Sequence, residues 1–106
     1  MKNVSEMQDT LIRIRALEGD MTLRRLQVLL EIYRAGQSGI DYQNLIKRLD
    51  IGPGNATKLI QSWSARTAQK MKGPAYAESL IDPDNMSTKR AVITERGRRA
   101  VEALFS

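Results

Sequence analysis

The residues with the most chemical potential lie in 51–73, IGPGNATKLIQSWSARTAQKMKG, and the chemistry they suit is recognition of a polyanion. No acidic residue stands between Asp50 and Glu78, whereas Lys58, Arg66, Lys70 and Lys72 add four positive charges. Elsewhere the signs nearly cancel: residues 1–40 carry six basic and five acidic groups, 41–50 two of each and 78–106 five of each. Four charges of the net +5 therefore sit in this stretch. A patch of one sign on a neutral background raises the local concentration of a polyanion, and a helix bearing it can follow phosphates. Gly52 followed by Pro53 reads as an N-cap and first helical position, where a missing N–H costs nothing. Ala56, Leu59, Ile60 and Trp63 then recur at three- and four-residue spacing as one apolar face. The other face is Gly54, Asn55, Thr57, Lys58, Gln61 and Ser62, short polar groups able to reach base edges and phosphates from a helix start with open N–H groups. An ordinary solvated face is the alternative, and polarity alone does not choose between them.

Catalysis finds little support. The chain has neither Cys nor His, which removes disulfides, thiolate chemistry and the commonest general base and metal ligand, so no metal or cofactor is expected. Asp82 and Asp84 fall on a turn, where solvation and turn formation explain them. Gly52-Pro53-Gly54 is not a phosphate loop, because Pro lacks an amide such a loop would use. No run approaches the roughly 18 apolar residues of a membrane span, and MKNVSEMQDT does not resemble a signal peptide. A soluble cytoplasmic protein that is not an enzyme is the expectation. With one Trp, one Phe and three Tyr in 106 residues, a single aliphatic-cored domain over 1–106 is expected.

The elements that must position the basic stretch can be taken in order. Val4, Met7, Leu11 and Ile14 repeat at spacings of three and four, with Leu17 extending a seam that Gly19 stops. This seam covers the protein's own core, a subunit interface or both. Thr22 caps a second helix ending at Ala35-Gly36, whose broad apolar face (Leu23, Leu26, Leu29, Leu30, Tyr33, flanked by Val28 and Ile32) suits a central core helix. Gln37-Ser38-Gly39 is a turn, and Ile40 can begin a short extended piece. Asp41 caps a compact helix with Leu45, Ile46 and Leu49 inward; Asn44 takes the place of the Glu or Gln of a capping box. A tight turn containing Gly52 leads into the basic helix, a helix-turn-helix pattern. After Lys72-Gly73-Pro74 the period shortens: 75–81 and 89–93 read as strands about the turn Asp82-Pro83-Asp84-Asn85. Thr94 caps a last helix carrying Val101, Leu104 and Phe105, in which Gly97 is unfavourable by roughly 1 kcal/mol relative to Ala. The fold class is mainly α with a small β-hairpin, an α+β winged helix-turn-helix of about five helices and a two-stranded wing.

Three strings resemble MarR-type regulators over roughly residues 21–105. MTLRRLQVLLEI is similar to the helix before their helix-turn-helix, DYQNLIKRLDIGPGNATKLIQSW to the two-helix unit, and DPDNMSTKRAVITERG to the wing and the start of the next helix. The resemblance implies a homodimeric transcriptional regulator of double-stranded DNA, expected to repress, with residues 53–64 in the major groove and the hairpin beside the minor groove. The chain departs from that pattern at the wing tip, where Met86-Ser87 replaces the usual arginine and Lys89 and Arg90 are displaced along the strand. More residues also separate Trp63 from Ala75 than usual, which extends the expected recognition helix to about Met71. Dimerisation is expected on helices 3–18 and 94–105, through Val4, Met7, Leu11, Ile14, Val101, Leu104 and Phe105. The expected DNA contacts are Gly54, Asn55, Thr57, Lys58, Gln61, Ser62, Arg66, Lys70, Lys72, Lys89 and Arg90. Two other uses of the same surface stay open: a winged-helix protein-docking module and a plasmid- or phage-partition DNA binder. The residues do not specify a small-molecule effector.

Overall fold

Each helix begins at a residue that satisfies its first amides or tolerates leaving them open. The computed structural model describes residues 3–65, 72–82 and 85–105, and at 81, 82 and 85–88 the backbone alone. Asn3 Oδ1 accepts from the amide of Glu6 to start α1 (Val4–Leu17), and Thr22 Oγ1 from the amide of Arg25 to start α2 (Leu23–Ala35). A left-handed Gly36 (φ 73°) ends α2, and a 3₁₀ turn over Gly36–Ser38 delivers the chain to strand β1 (Ile40–Asp41). Asp41 closes that strand and caps α3 (Tyr42–Leu49), bonding both the amide and the side-chain nitrogen of Asn44 at 2.8 and 2.9 Å. Asp50, left-handed at φ 52°, makes the turn into α4 (Pro53–Gln61). Strands β2 (Ala77–Asp82) and β3 (Asn85–Ile93) precede α5 (Glu95–Leu104), capped by Thr94.

The hairpin strands lie antiparallel, and β1 adds itself to the far side of β3, giving a three-stranded sheet in the order β1-β3-β2. Strand β3 starts at Asn85, well before the expected Lys89, because pairing with β2 continues past Ile81↔Lys89 through a register shift to Asp82↔Asn85. The expected wing-tip turn at Pro83 and Asp84 lies outside the described residues.

Val28, Leu29 and Ile32 of α2 are fully buried together with Leu45, Ala56, Ile60, Trp63, Ala77 and Ala91, so α2 is the central helix and both helix-turn-helix members lean on it. Leu23 departs from the expected core face and is exposed, since it stands in the first turn of α2, beyond the packed layer. The stop after α1 also differs from expectation. Glu18 is the C-cap in an extended conformation and Gly19 does not take a positive φ, so no left-handed glycine ends this helix. Trp63 is the expected core anchor: its Nε1–H, which burial would otherwise strand, donates to the Arg25 carbonyl at 2.8 Å. Among the described residues, no helix is long and apolar enough to cross a membrane.

Candidate nucleic-acid interface

Helix α4 turns Ala56 and Ile60 into the core and holds Leu59 half-buried. Its first turn is left open. Gly52 offers no side-chain cap, Pro53 occupies the first helical position, and a Cβ built on Gly52 or Gly54 would meet nothing within 4 Å. Gly54, Asn55 and Lys58 are exposed together on this side, with Thr57 and Gln61 half-exposed beside them. Thr57 Oγ1 donates back to the Pro53 carbonyl at 3.3 Å, which leaves its methyl group and its oxygen lone pairs for an outside partner. Backbone amides at an uncapped helix start, next to a lysine and in a stretch without carboxylates, can bind an anionic oxygen.

Two of the expected contact residues have partners within the protein. Ser62 is turned back: its hydroxyl donates to the Leu59 carbonyl at 2.6 Å and accepts from Arg25 Nε at 3.0 Å. Arg90 donates from Nε and Nη2 to the carbonyls of Ser38 and Gly39 at 3.1 and 3.0 Å, tying the base of the hairpin to the turn before β1. Arg66 and Lys70 lie outside the described residues. Lys72 and Lys89 are exposed.

The expected run of the recognition helix to Met71 is corrected, because α4 ends at Gln61. Ser62 and Ser64 fold their hydroxyls onto the carbonyls of Leu59 and Gln61, while the Trp63 carbonyl accepts the amides of Tyr76 and Ala77 at 2.8 and 3.1 Å. A carbonyl engaged by the incoming sheet strand is lost to a continuing helix, so the chain turns there.

The expected dimerisation residues divide into two groups. Val4, Met7 and Leu11 are 86%, 56% and 44% exposed, and Phe105 is exposed at the other chain end. Ile14, Val101 and Leu104 are buried within the protomer at 6%, 1% and 2%, so the second apolar face expected on α5 reduces to Phe105. Ile12 and Leu23, also exposed, border an apolar groove of about 360 Å³ between α1 and the start of α2, which Ile14, Met21 and Leu26 help to line.

Sequence reasoning assigned no role to Gln43 and Lys47, which α3 presents outward; their place off the Leu45, Ile46 and Leu49 face was the available signal. It also passed over Arg25, for which local spacing holds no clue. Among the described residues, no group of three or more carboxylates that could hold a metal ion occurs.

The order of helices, the two-helix unit and the flanking hairpin define a winged helix-turn-helix. The solved structures of MepR from S. aureus share this fold. The chain superposes on MepR in its complex with DNA with a TM-score of 0.73 at 19% identity, over 95% of this chain and 73% of that one. A MepR mutant from a multidrug resistant S. aureus clinical isolate matches with the same TM-score at 17% identity, over 91% of this chain and 62% of that one. MepR is a MarR-type winged helix, so the fold anticipated from the three sequence strings is the fold of this chain. No protein-family model matches the chain, and no curated protein matches its sequence.

Proposed function

We propose that this protein is a MarR-type transcriptional regulator that binds duplex DNA as a homodimer, with α4 in the major groove and the hairpin beside the minor groove. The observation that carries the reading is the open first turn of α4, where Gly54, Asn55 and Lys58 stand exposed in the acid-free stretch and Ala56 and Ile60 fix the helix from behind. The shared fold of MepR in its DNA complex supports it. Lys58 serves phosphate, while Asn55 and Gln61 carry amides that pair bidentately with adenine. Two copies are joined through Val4, Met7 and Leu11 of α1, an exposed apolar stripe that water disfavours, and a two-fold axis presents two recognition helices to half-sites roughly 34–36 Å apart. Repression follows from occupancy, since a dimer over such a site excludes other proteins from it.

Selection from random duplex DNA tests the reading. A dimer neutralising roughly six to eight phosphates gives a slope of log affinity against log salt of about −5 to −7, and Lys58→Ala lowers that slope while weakening binding to all sequences alike. Met7→Glu with Leu11→Glu should yield monomers by sedimentation and much weaker binding to a palindrome. A flat salt response would exclude the proposed interface, and a wild-type monomer that binds a palindrome tightly would exclude the dimer.

A further inference from the structure

Arg25 joins the corner between α1 and α2 to the far end of α4, a segment 37 residues further along the chain. Its guanidinium lies over the Trp63 ring, 4.3 Å from the centroid. Nε donates to Ser62 Oγ at 3.0 Å and Nη2 to the Ser62 carbonyl at 3.3 Å, so the fork closes on the residue that caps the C-terminus of α4. On its other edge Nη1 reaches the Asp20 carbonyl at 3.4 Å, and Nη2 stands 3.6 Å from Glu18 Oε2. Asp20 lies in the turn between α1 and α2, and Glu18 caps α1. The Arg25 carbonyl accepts from Trp63 Nε1, so backbone and side chain of one residue hold the same tryptophan. A planar five-donor group can make these contacts at once, whereas an ammonium offers a point charge on a flexible stem.

From this geometry we propose that Arg25 is a positioning residue for the recognition helix, locking the C-terminal end of α4 to the α1–α2 corner. The core anchors one side of α4 through Ala56 and Ile60, but the N-terminal turn has no side-chain cap. Clamping the opposite end fixes the angle at which Asn55, Lys58 and Gln61 meet DNA. That angle is thereby tied to α1, the helix on which the second copy docks in the reading above. The inference rests on that reading for its functional consequence, while the clamp itself can be observed without DNA.

Arg25→Ala and Arg25→Lys are compared with Ile32→Val, a core variant whose side chain makes none of these contacts. Amide exchange at residues 62–64 is measured on the DNA-free protein, and affinities are measured for the duplex selected by the wild type and for a scrambled duplex. Both Arg25 variants should exchange faster there by about tenfold and lose about tenfold in affinity for the selected duplex, with the scrambled duplex changing much less. Arg25→Lys keeps the charge, so its loss separates positioning from attraction; Ile32→Val should move neither quantity, which separates positioning from global stability. Arg25 variants that match Ile32→Val in exchange overturn the clamp, and faster exchange with an unchanged ratio of the two affinities overturns its role in recognition. A wild type that prefers no duplex defeats the DNA reading instead, and the exchange result still decides the clamp.

Discussion

The first turns of α4 and α5 begin on the same structural problem, amides without intrahelical partners, and resolve it oppositely. In α5, Thr94 Oγ1 accepts from the Gly97 amide at 2.9 Å and donates to the Ala75 carbonyl at 2.7 Å. Glu95 places a carboxylate at the positive end of the helix and is gripped by Arg98 and Arg99, while Arg98 also bonds Glu102 at 2.9 Å. The hydrogen bond from Arg98 holds the Glu95 carboxyl below the ordinary carboxylate range, against a smaller opposing effect of burial. Tyr33 donates to Glu102, which pushes the phenol above its ordinary value. In α4 the cap has no side chain, the first turn has no acid, and a Cβ at Gly54 would meet open space. One helix start is capped by a side chain; the other has none. The uncapped start of α4 is therefore informative here because its counterpart in the same small fold carries a side-chain cap.

Substitutions at the two helical glycines should break the comparison most clearly. A Cβ on Gly97 would lie 2.0 Å from the Tyr76 carbonyl oxygen, a backbone atom that cannot swing aside. Gly97→Ala should therefore cost about 3 kcal/mol or more in urea unfolding, although alanine is the better helix former. Thr94→Ala removes both the cap and the tie to Ala75, and a loss of about 1–2 kcal/mol is expected from the same measurement. Gly54→Ala should have the opposite sign, raising stability by about 0.5–1 kcal/mol, while the added methyl group weakens binding to the selected duplex. Equal binding by that variant would mean that DNA does not approach the α4 backbone closely. The smallest effect is acid sensitivity at Glu95. Its folded pKa is depressed, so its contribution is complete above the unfolded carboxylate value and fades as pH falls through the lower folded one. Glu95→Gln should flatten the decline in unfolding midpoint between about pH 5 and about pH 3 relative to wild type.

What could be read from the sequence divides along the range of the interactions. Thr22, Asp41, Gly52 and Thr94 announce helix starts because a cap acts within three residues, and all of them are caps in the structure. Gly97 was visible as a poor helix residue and as part of a familiar string, but that Tyr76 requires the missing side chain depends on a contact between residues far apart in the chain. The exposed polar face of α4 was legible for Gly54, Asn55 and Lys58, where one helix period decides exposure. Helix period and charge did not reveal that Ser62 and Arg90 also have partners within the protein, Arg25 and the turn before β1. The α1 stripe shows the same limit, since heptad spacing groups Ile14 with Leu11 but does not reveal that the core covers the former and leaves the latter exposed.

Strand β1 carries a consequence for how such a chain can change length. Asp41 is at once the last residue of that strand, opposite Arg90, and the cap of α3, so no spacer separates the sheet from the helix-turn-helix. Arg90 adds two bonds to the turn immediately before it. Inserting one residue between Ile40 and Tyr42 would either move the strand out of register or carry the carboxylate away from the helix it caps. Deleting Asp41 would leave both roles to Ile40, whose side chain cannot cap a helix. Insertions and deletions should therefore be purged at this joint, and sequences descended from a common ancestor should keep its length while their surface residues drift.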